Sequence, residues 1–383
     1  MNPSFLPILE DLRLDGTDGR WADRMADVTP QDVEGALARP PGRYSFDRLL
    51  ILVSPAAQAY LEAMAQQSHR LTIQRFGKTI SLFAPLYLSS HCCNICTYCG
   101  FSSESKTERK RLSVDEAVAE ADIVAAEGFS DLLLVSSEDR HAVNTPYLVE
   151  LAHRLRDRFS SLSIEIQQLR QEEYARLFAA GIEGVTFYQE SYDRVVYGQY
   201  HLAGPKADYD RRVRGPEEIA ATGMRRIGLG VLLGLANWRE ETLALAEHGA
   251  FLMKHFCRSQ ISFSFPRLRP AQDVESQQFQ HLLGDRDLVQ MILALRLCFA
   301  DAGLVMSTRE PAAFRDALVK LGVTKMSAGS KTNPGGYGEE TPSLEQFSVD
   351  DQRSAGEVAA MIRSQGFESV WKDWDAAFAA AGG

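Results

Sequence analysis

The stretch His91-Cys92-Cys93-Asn94-Ile95-Cys96-Thr97-Tyr98-Cys99-Gly100-Phe101 holds four of the chain's six cysteines within eight positions. Cys92, Cys96 and Cys99 have the spacing C-x3-C-x2-C, which wraps three thiolates around one compact inorganic centre. A [4Fe–4S] cluster held by three cysteines leaves one iron free for another ligand. A structural zinc takes four ligands, usually as two separated pairs, and His91 would complete that set only by strained adjacency. The expectation is an iron–sulfur cluster suited to radical chemistry. Clustered thiols of this kind also read as a metal site in a reducing compartment, not as a disulfide framework.

The run just before the loop, Ile80 to Leu88, is short and apolar. It reads as a first strand that delivers the cysteines at its C-terminal end. Downstream, strand-length apolar runs alternate with segments of helical period. Strands are predicted at 131–135, 162–166, 185–188, 227–231, 261–265, 304–307 and 323–326. Helices are predicted at 113–127, where Ser113 and Glu116 make a capping box, and at 146–159, 172–180, 238–255, 285–300 and 311–320. Another opens at Pro216, after an insertion over 191–214. Eight strands in βα alternation over about 250 residues predict an α/β fold, a (β/α)8 TIM-type barrel. The expected division is a helical N-terminal extension over 1–79, the barrel over 80–333, and a C-terminal extension over 334–383 packing on it. Within the first part, Pro30 starts a helix and Pro55 breaks two others apart.

Composition sets the outer limits. A chain of 383 residues with 45% hydrophobic and 24% charged residues suits a soluble globular protein with a large core. The net charge of −10 and pI near 5.4 exclude the basic stripe that a nucleic-acid face needs. With neither a leader pattern nor a bilayer-length apolar run, the expected location is cytoplasmic. Cys257 and Cys298, in segments of helical pattern, read as buried small hydrophobes.

In such a barrel the reactive groups gather where strands end, because the βα loops surround one mouth. The predicted ends are rich in polar residues: Glu138, Glu165, Gln167, Gln189, Glu190, Arg267, Arg269, Ser307 to Glu310, Ser327 and Lys331. One strand-end carboxylate often only caps the next helix; the convergence of many on a mouth that holds a cysteine loop is the stronger signal. Carboxylates accept hydrogen bonds from an ammonium or from ribose hydroxyls, and arginines hold a carboxylate by two parallel bonds. The glycines of Ile227-Gly228-Leu229-Gly230-Val231 let a strand approach an adenine ring, or serve tight barrel packing. No helix opens at the next glycine, so this is no dinucleotide fingerprint.

The cysteine spacing, with Tyr98 just before Cys99, resembles the signature of radical S-adenosylmethionine enzymes. Further stretches narrow the likeness: Leu88 to Ser102, Tyr188 to Tyr192, Ile227 to Leu235, Ser262 to Pro270, Ser307 to Glu310, Ser330 to Tyr337 and Val370 to Asp375. Together they resemble the 2-iminoacetate synthases, the tyrosine lyases of bacterial thiamine thiazole biosynthesis. That resemblance implies a [4Fe–4S] cluster on Cys92, Cys96 and Cys99, with S-adenosylmethionine chelating the fourth iron. It further implies a 5′-deoxyadenosyl radical that attacks L-tyrosine, breaking the Cα–Cβ bond to give 2-iminoacetate and p-cresol. Carried over residue by residue, it places Glu138, Glu165, Gln189, Glu190 and Arg212 against S-adenosylmethionine. Tyr87, Arg309 and Ser327 fall where related lyases hold the carboxylate and amine of the substrate, with Arg267 and Arg269 behind them. Implied partners are thiazole synthase and an external one-electron reductant such as flavodoxin or ferredoxin. For the phenol proton the nearby candidates are Tyr188, His201 and Lys331.

Two positions depart from the family pattern. Cys93 creates a second register, Cys93-Cys96-Cys99, and Ser137 stands where a glycine commonly precedes the glutamate, so its side chain is expected to crowd the site. Rival readings are the tyrosine lyase of hydrogenase maturation, a tryptophan lyase, and an iron–sulfur electron carrier. The first is expected to need a second cysteine motif, and no cysteine follows Cys298. An electron carrier usually surrounds its cluster with four protein ligands and needs no ring of polar strand ends.

Overall fold

The computed structural model describes residues 3–16, 18–338 and 345–372. Its centre is a closed parallel barrel of β1 (Thr79–Ser89), β2 (Asp131–Ser136), β3 (Ser161–Glu165), β4 (Ile182–Glu190), β5 (Arg226–Val231), β6 (Gln260–Ser264), β7 (Gly303–Met306) and β8 (Lys325–Ser327). β8 returns to β1 in parallel register, Ser81 opposite Lys325 and Phe83 opposite Ser327, which closes the ring. All eight predicted strands form. Their apolar runs are buried by the helices outside and by each other within, as at Leu132, Leu134, Ile164 and Leu229. Among the described residues no helix is long and apolar enough to cross a membrane.

β1 is long enough to do two jobs. Its start, Thr79 to Ser81, pairs with a ninth strand, β9 (Glu368–Val370), and its later part, Ala84 to Ser89, pairs with β2. Residues 368–370 are thereby anchored at the foot of the strand whose tip carries the cysteine loop. Asp373, Trp374 and Asp375, the end of one predicted motif, lie outside the described residues.

Local signals set most helix starts. Ser113 and Glu116 complete the predicted capping box for Val114–Ala126, and Thr29 with Asp32 makes another before Pro30–Ala38. Pro55 opens a 3-10 turn between helices Phe46–Val53 and Leu61–Phe76. These N-terminal helices cover the barrel's side. The Gln290 side chain donates to the Leu52 and Ser54 carbonyls at 2.9 and 2.8 Å, and Ser68 Oγ donates to the Leu321 carbonyl at 3.0 Å.

Two expectations need correction, at Pro216 and at Cys257. Pro216 lies inside the helix Tyr209–Ala220, which starts earlier because the Asp208 carboxylate accepts from Arg211 N and because Tyr209, Arg212 and Val213 are buried. Packing of that first turn outweighs the donor lost at proline. The insertion over 191–214 is structured, with a helix Arg194–Tyr200 and a short strand His201–Ala203 that pairs antiparallel with Ile95–Cys96. Cys257 is exposed, since it falls in the turn after helix Trp238–His255; Cys298 is buried as expected.

Candidate active site at the barrel mouth

The cysteine loop leaves β1 and rolls around one side chain. Arg109 donates to the carbonyls of Ser90, Phe101, Ser102 and Ser105 at 2.7, 3.0, 2.5 and 3.1 Å, so a single guanidinium fixes both arms of the loop. On the other side, Gly204 lies so close that a Cβ there would stand 2.4 Å from Asn94 Oδ1; its φ of +93° also suits glycine. Ser137 borders the cavity, as its place beside Glu138 implies. Its hydroxyl turns back to the Ser89 and His91 carbonyls at 3.0 and 2.6 Å and ties the β2 loop to the cysteine loop.

Cys92, Cys96 and Cys99 border one cavity of about 140 Å³ at the mouth, whereas Cys93 is exposed and does not. Among the described residues, no three His, Cys, Asp or Glu side chains converge as ligands of a single metal ion. A zinc would draw its sulfurs to about 2.3 Å from one point, whereas a four-iron cluster takes each thiolate on a different iron and needs them spread around a cavity. Two of the three sulfurs also receive N–H donors: Asn94 N and Nδ2 reach Cys92 Sγ at 3.5 and 3.7 Å, and Gln346 Nε2 reaches Cys99 Sγ at 3.5 Å. Spacing, cavity and donors fit a cluster better than zinc. Burial pushes the Cys96 thiol up to about 12 and raises Cys99, so thiolate ligation at these positions releases protons.

Six of the eight other candidate residues border the same cavity: Tyr87, Glu138, Glu165, Glu190, Arg212 and Arg309. Gln189 does not. Strand alternation puts Tyr188 and Glu190 inward and Gln189 outward, where its amide donates to the Ser191 carbonyl at 3.3 Å. Ser327 borders a second space of about 70 Å³ that continues the first, sharing Tyr87, Glu165, Tyr188 and Arg309 with it. There the Ser327 hydroxyl accepts from Thr308 N at 3.0 Å. Arg267 is consumed by an ion pair with buried Glu310 and another with Asp285, and Arg269, though at the cavity, pairs with Asp350. Gln167 borders the cavity but gives its amide to the Val143 carbonyl at 2.7 Å. The space expected for a ligand above Gly230 is taken by the Tyr188 ring, 2.7 Å from where a Cβ would stand, so that glycine serves barrel packing.

Most charges at the mouth are already answered. Glu138 accepts from Asn94 Nδ2 at 2.6 Å and pairs with Arg140 at 2.5 Å. Glu190, held at a φ of +71° by the irregular end of β4, pairs with Lys206 at 2.6 Å. Burial alone would raise its carboxyl, but Lys206 and Arg212 hold it below the ordinary range. Arg212 donates twice to the Tyr188 carbonyl, at 3.0 and 2.7 Å, and lies 3.8 Å over the Phe187 ring.

Glu165 and Arg309 differ from the rest. No group among the described residues hydrogen-bonds the Glu165 carboxylate, and burial lifts that carboxyl to about 7 against the pull of Arg309. Arg309 lies 3.4 Å over the Phe347 ring; among the described residues its side chain reaches only the Arg267 carbonyl, at 3.4 Å, and no carboxylate pairs with it. An acceptor and a guanidinium left open in one buried space suit a ligand that carries both an ammonium or hydroxyl and a carboxylate.

Of the phenol-proton candidates only Tyr188 borders these spaces. His201 is buried, its pKa lowered to about 3 by burial and then by Lys206; it is held by Tyr98 Oη at 2.9 Å and the Tyr197 carbonyl at 2.8 Å. Lys331 does not border them. Asn94, Lys206, Gln346 and Phe347 were not among the predicted site residues. Asn94 was within the cysteine motif itself; the other three lie in the insertion and the polar tail, whose placement no local pattern announces.

Residues 86–247 match the Radical SAM superfamily, and residues 264–368 match the Biotin and Thiamin Synthesis associated domain. The chain is 44% identical over 359 residues to the 2-iminoacetate synthase of Salmonella typhimurium, covering 93% of this chain and 94% of that one. It is 43% identical to that of Escherichia coli over the same shares. Among solved structures it is similar to HydG, a maturase of the [FeFe]-hydrogenase. That match has a TM-score of 0.87 and 28% identity, and covers 93% of this chain and 80% of that one.

Proposed function

The chain belongs to the 2-iminoacetate synthase family of radical S-adenosylmethionine enzymes, and from that premise we propose that it cleaves the Cα–Cβ bond of L-tyrosine to 2-iminoacetate and p-cresol. The observation that carries this reading is the joining of two features in one space: three thiols at the rim, and an open carboxylate–guanidinium pair, Glu165 and Arg309, inside it. When bound, the cluster and S-adenosylmethionine supply one-electron cleavage of a sulfonium and with it a carbon radical able to take a hydrogen atom.

The chain's own residues do the rest. Cys92, Cys96 and Cys99 hold the cluster. Glu138 and Glu190, each fixed by a cation, and Glu165 present acceptors to the ammonium and ribose hydroxyls of the cofactor, with Arg212 bracing the end of β4. Arg309 takes the substrate's carboxylate by charge-assisted bonds. Ser327 and the Tyr87 oxygen stand where they can accept from its ammonium. Phe347, stacked on Arg309, excludes water from that contact, which strengthens it. The product imine hydrolyses readily, so direct transfer to thiazole synthase is the chemically sensible fate, and the electron comes from a small one-electron carrier.

Anaerobic turnover of the iron-reconstituted protein with L-tyrosine, S-adenosylmethionine and a strong reductant tests the reading. Formation of p-cresol and 5′-deoxyadenosine is expected. Intact S-adenosylmethionine in the presence of tyrosine and an assembled cluster would overturn it, and cleavage of L-tryptophan in preference would move the chain to a sister activity.

A further inference from the structure

Gln346 comes from the polar tail, outside every predicted strand end, yet it touches both halves of the site. Its Nε2 lies 3.5 Å from Cys99 Sγ, and its Oε1 accepts from Tyr87 Oη at 2.9 Å. The backbone beneath is fixed on two sides. Gln346 N donates to the Thr332 carbonyl at 3.0 Å, and Gly100 presses so close to the Gln346 carbonyl that a Cβ at 100 would stand 2.7 Å away. An iron-bound thiolate only accepts, so the amide must turn its nitrogen to the sulfur and its oxygen to the phenol, which must then donate.

We infer that Gln346 is a positioning residue that sets the cluster's reduction potential through Cys99 and links that potential to occupancy of the amino acid site through Tyr87. The inference rests on the reading that Cys99 ligates the cluster. A hydrogen bond donated to a ligand sulfur draws electron density from it and favours the reduced cluster. Tyr87 spends its one hydrogen on Gln346, so toward the substrate it offers only lone pairs. An ammonium that donates to this oxygen makes the phenol a stronger donor, polarises the amide, and strengthens the N–H···S contact in turn. Tyrosine binding therefore raises the potential and makes the cluster easier to reduce once substrate is in place.

The test is a potentiometric titration of the reconstituted cluster, followed by its electron paramagnetic resonance signal, with and without L-tyrosine. Gln346→Met keeps the volume and removes the N–H; it is expected to lower the reduction equilibrium about tenfold, about 59 mV for one electron. Gln346→Glu keeps the acceptor for Tyr87 but sets a carboxylate beside the sulfur, and should fall further. Tyr87→Phe keeps the amide and removes its orienter, so a smaller fall in the same direction is expected. In wild type L-tyrosine raises the potential, and in all three variants it does not. Full iron content with wild-type potentials in Gln346→Met and Gln346→Glu would overturn the inference, as would a tyrosine-dependent rise that survives in Gln346→Met. If Gln346→Met fails to hold iron, the potentials of Gln346→Glu and Tyr87→Phe measured without L-tyrosine decide, and wild-type values in both would overturn the inference. A wild-type protein that assembles no four-iron cluster, or Cys99→Ala that keeps one unchanged, would instead defeat the ligand reading beneath it.

Discussion

The two ends of this barrel carry similar residues in opposite states. Near the N-terminal ends of the strands lies the larger space, about 440 Å³, bordered by Arg226 and Lys325. At that end Asp131 is buried between Arg226 at 3.0 Å and Lys325 at 2.5 Å, and Glu183 pairs with Arg225 at 2.5 Å and Arg226 at 2.9 Å. Small residues, Gly184, Gly228, Gly303, Ser163 and Ser262, border much of it. At the mouth the cavity is about a third as large by the same measure, but it leaves Glu165 and Arg309 open. Size alone would choose the wrong end. Charges closed on one another hold the fold, and charges left open await a ligand.

The largest expected effect is at the mouth. Cys92→Ala removes one of the three proposed cluster ligands, so iron content is expected to collapse and formation of 5′-deoxyadenosine and p-cresol to fall below detection. Retained turnover would show that the mouth does not work through this cluster.

Paired substitutions at the two ends sharpen the contrast. Asp131→Asn leaves Arg226 and Lys325 with less opposing charge in a buried setting and should cost about 3 kcal/mol of stability by denaturant unfolding, with kcat unchanged in the folded protein. Burial would raise the Asp131 carboxyl, but Arg226 and Lys325 hold it below its ordinary range. Its contribution is therefore full above the unfolded pKa of about 3.9 and is lost as pH falls through the lower folded value. Arg309→Gln should do the reverse. Stability is kept, and kcat/KM for tyrosine falls by about 30- to 150-fold, the worth of about 2–3 kcal/mol of charge-assisted bonding. If both variants fail in the same way, the division of labour between the ends is wrong.

A finer difference lies in pH. With Glu165 lifted to about 7 by burial, the carboxylate is ionised above that pH and neutral below it. In wild type kcat/KM for S-adenosylmethionine should rise as pH increases through about 7, with a limiting slope of about tenfold per unit on the acid side. Glu165→Gln should lower the plateau and erase that limb. A limb that persists in the variant assigns the ionisation to another group.

Sequence made the barrel legible because its signals are local. Each strand is a buried apolar run, and capping boxes at Ser113 and Thr29 mark helix starts within a few residues. The cysteine loop and the strand-end residues Glu138, Glu165, Glu190 and Arg309 were legible because a parallel barrel brings strand ends to one mouth. What stayed hidden depended on distant packing. Gln189 missed the cavity through strand alternation at an irregular strand end, Arg267 was spent on Glu310, and Pro216 yielded to the packing of a turn before it. Gln346 and Phe347 reach the site only because the polar tail folds back over it, and nothing in their own segment records that.

The smallest expected effect tests the comparison within the loop itself. Cys93 offers the alternative spacing to Cys96 and Cys99, and its thiol is as capable of binding iron as that of Cys92. Placement separates them. Cys93 is exposed and lies off the cavity; its backbone N–H donates to the Glu138 carbonyl at 3.3 Å. Cys92 borders the cavity, and its sulfur takes both nitrogen donors of Asn94. To exchange roles the loop would have to break the Cys93–Glu138 contact and turn Asn94, whose side chain also holds Glu138 at 2.6 Å and Lys206 N at 2.9 Å. Cys93→Ala should therefore keep four irons per chain and turnover within about twofold, since an exposed substitution away from such contacts changes stability by only about 0.5 kcal/mol. Iron loss in Cys93→Ala equal to that in Cys92→Ala would mean that the loop adopts the shorter register when it binds its cluster.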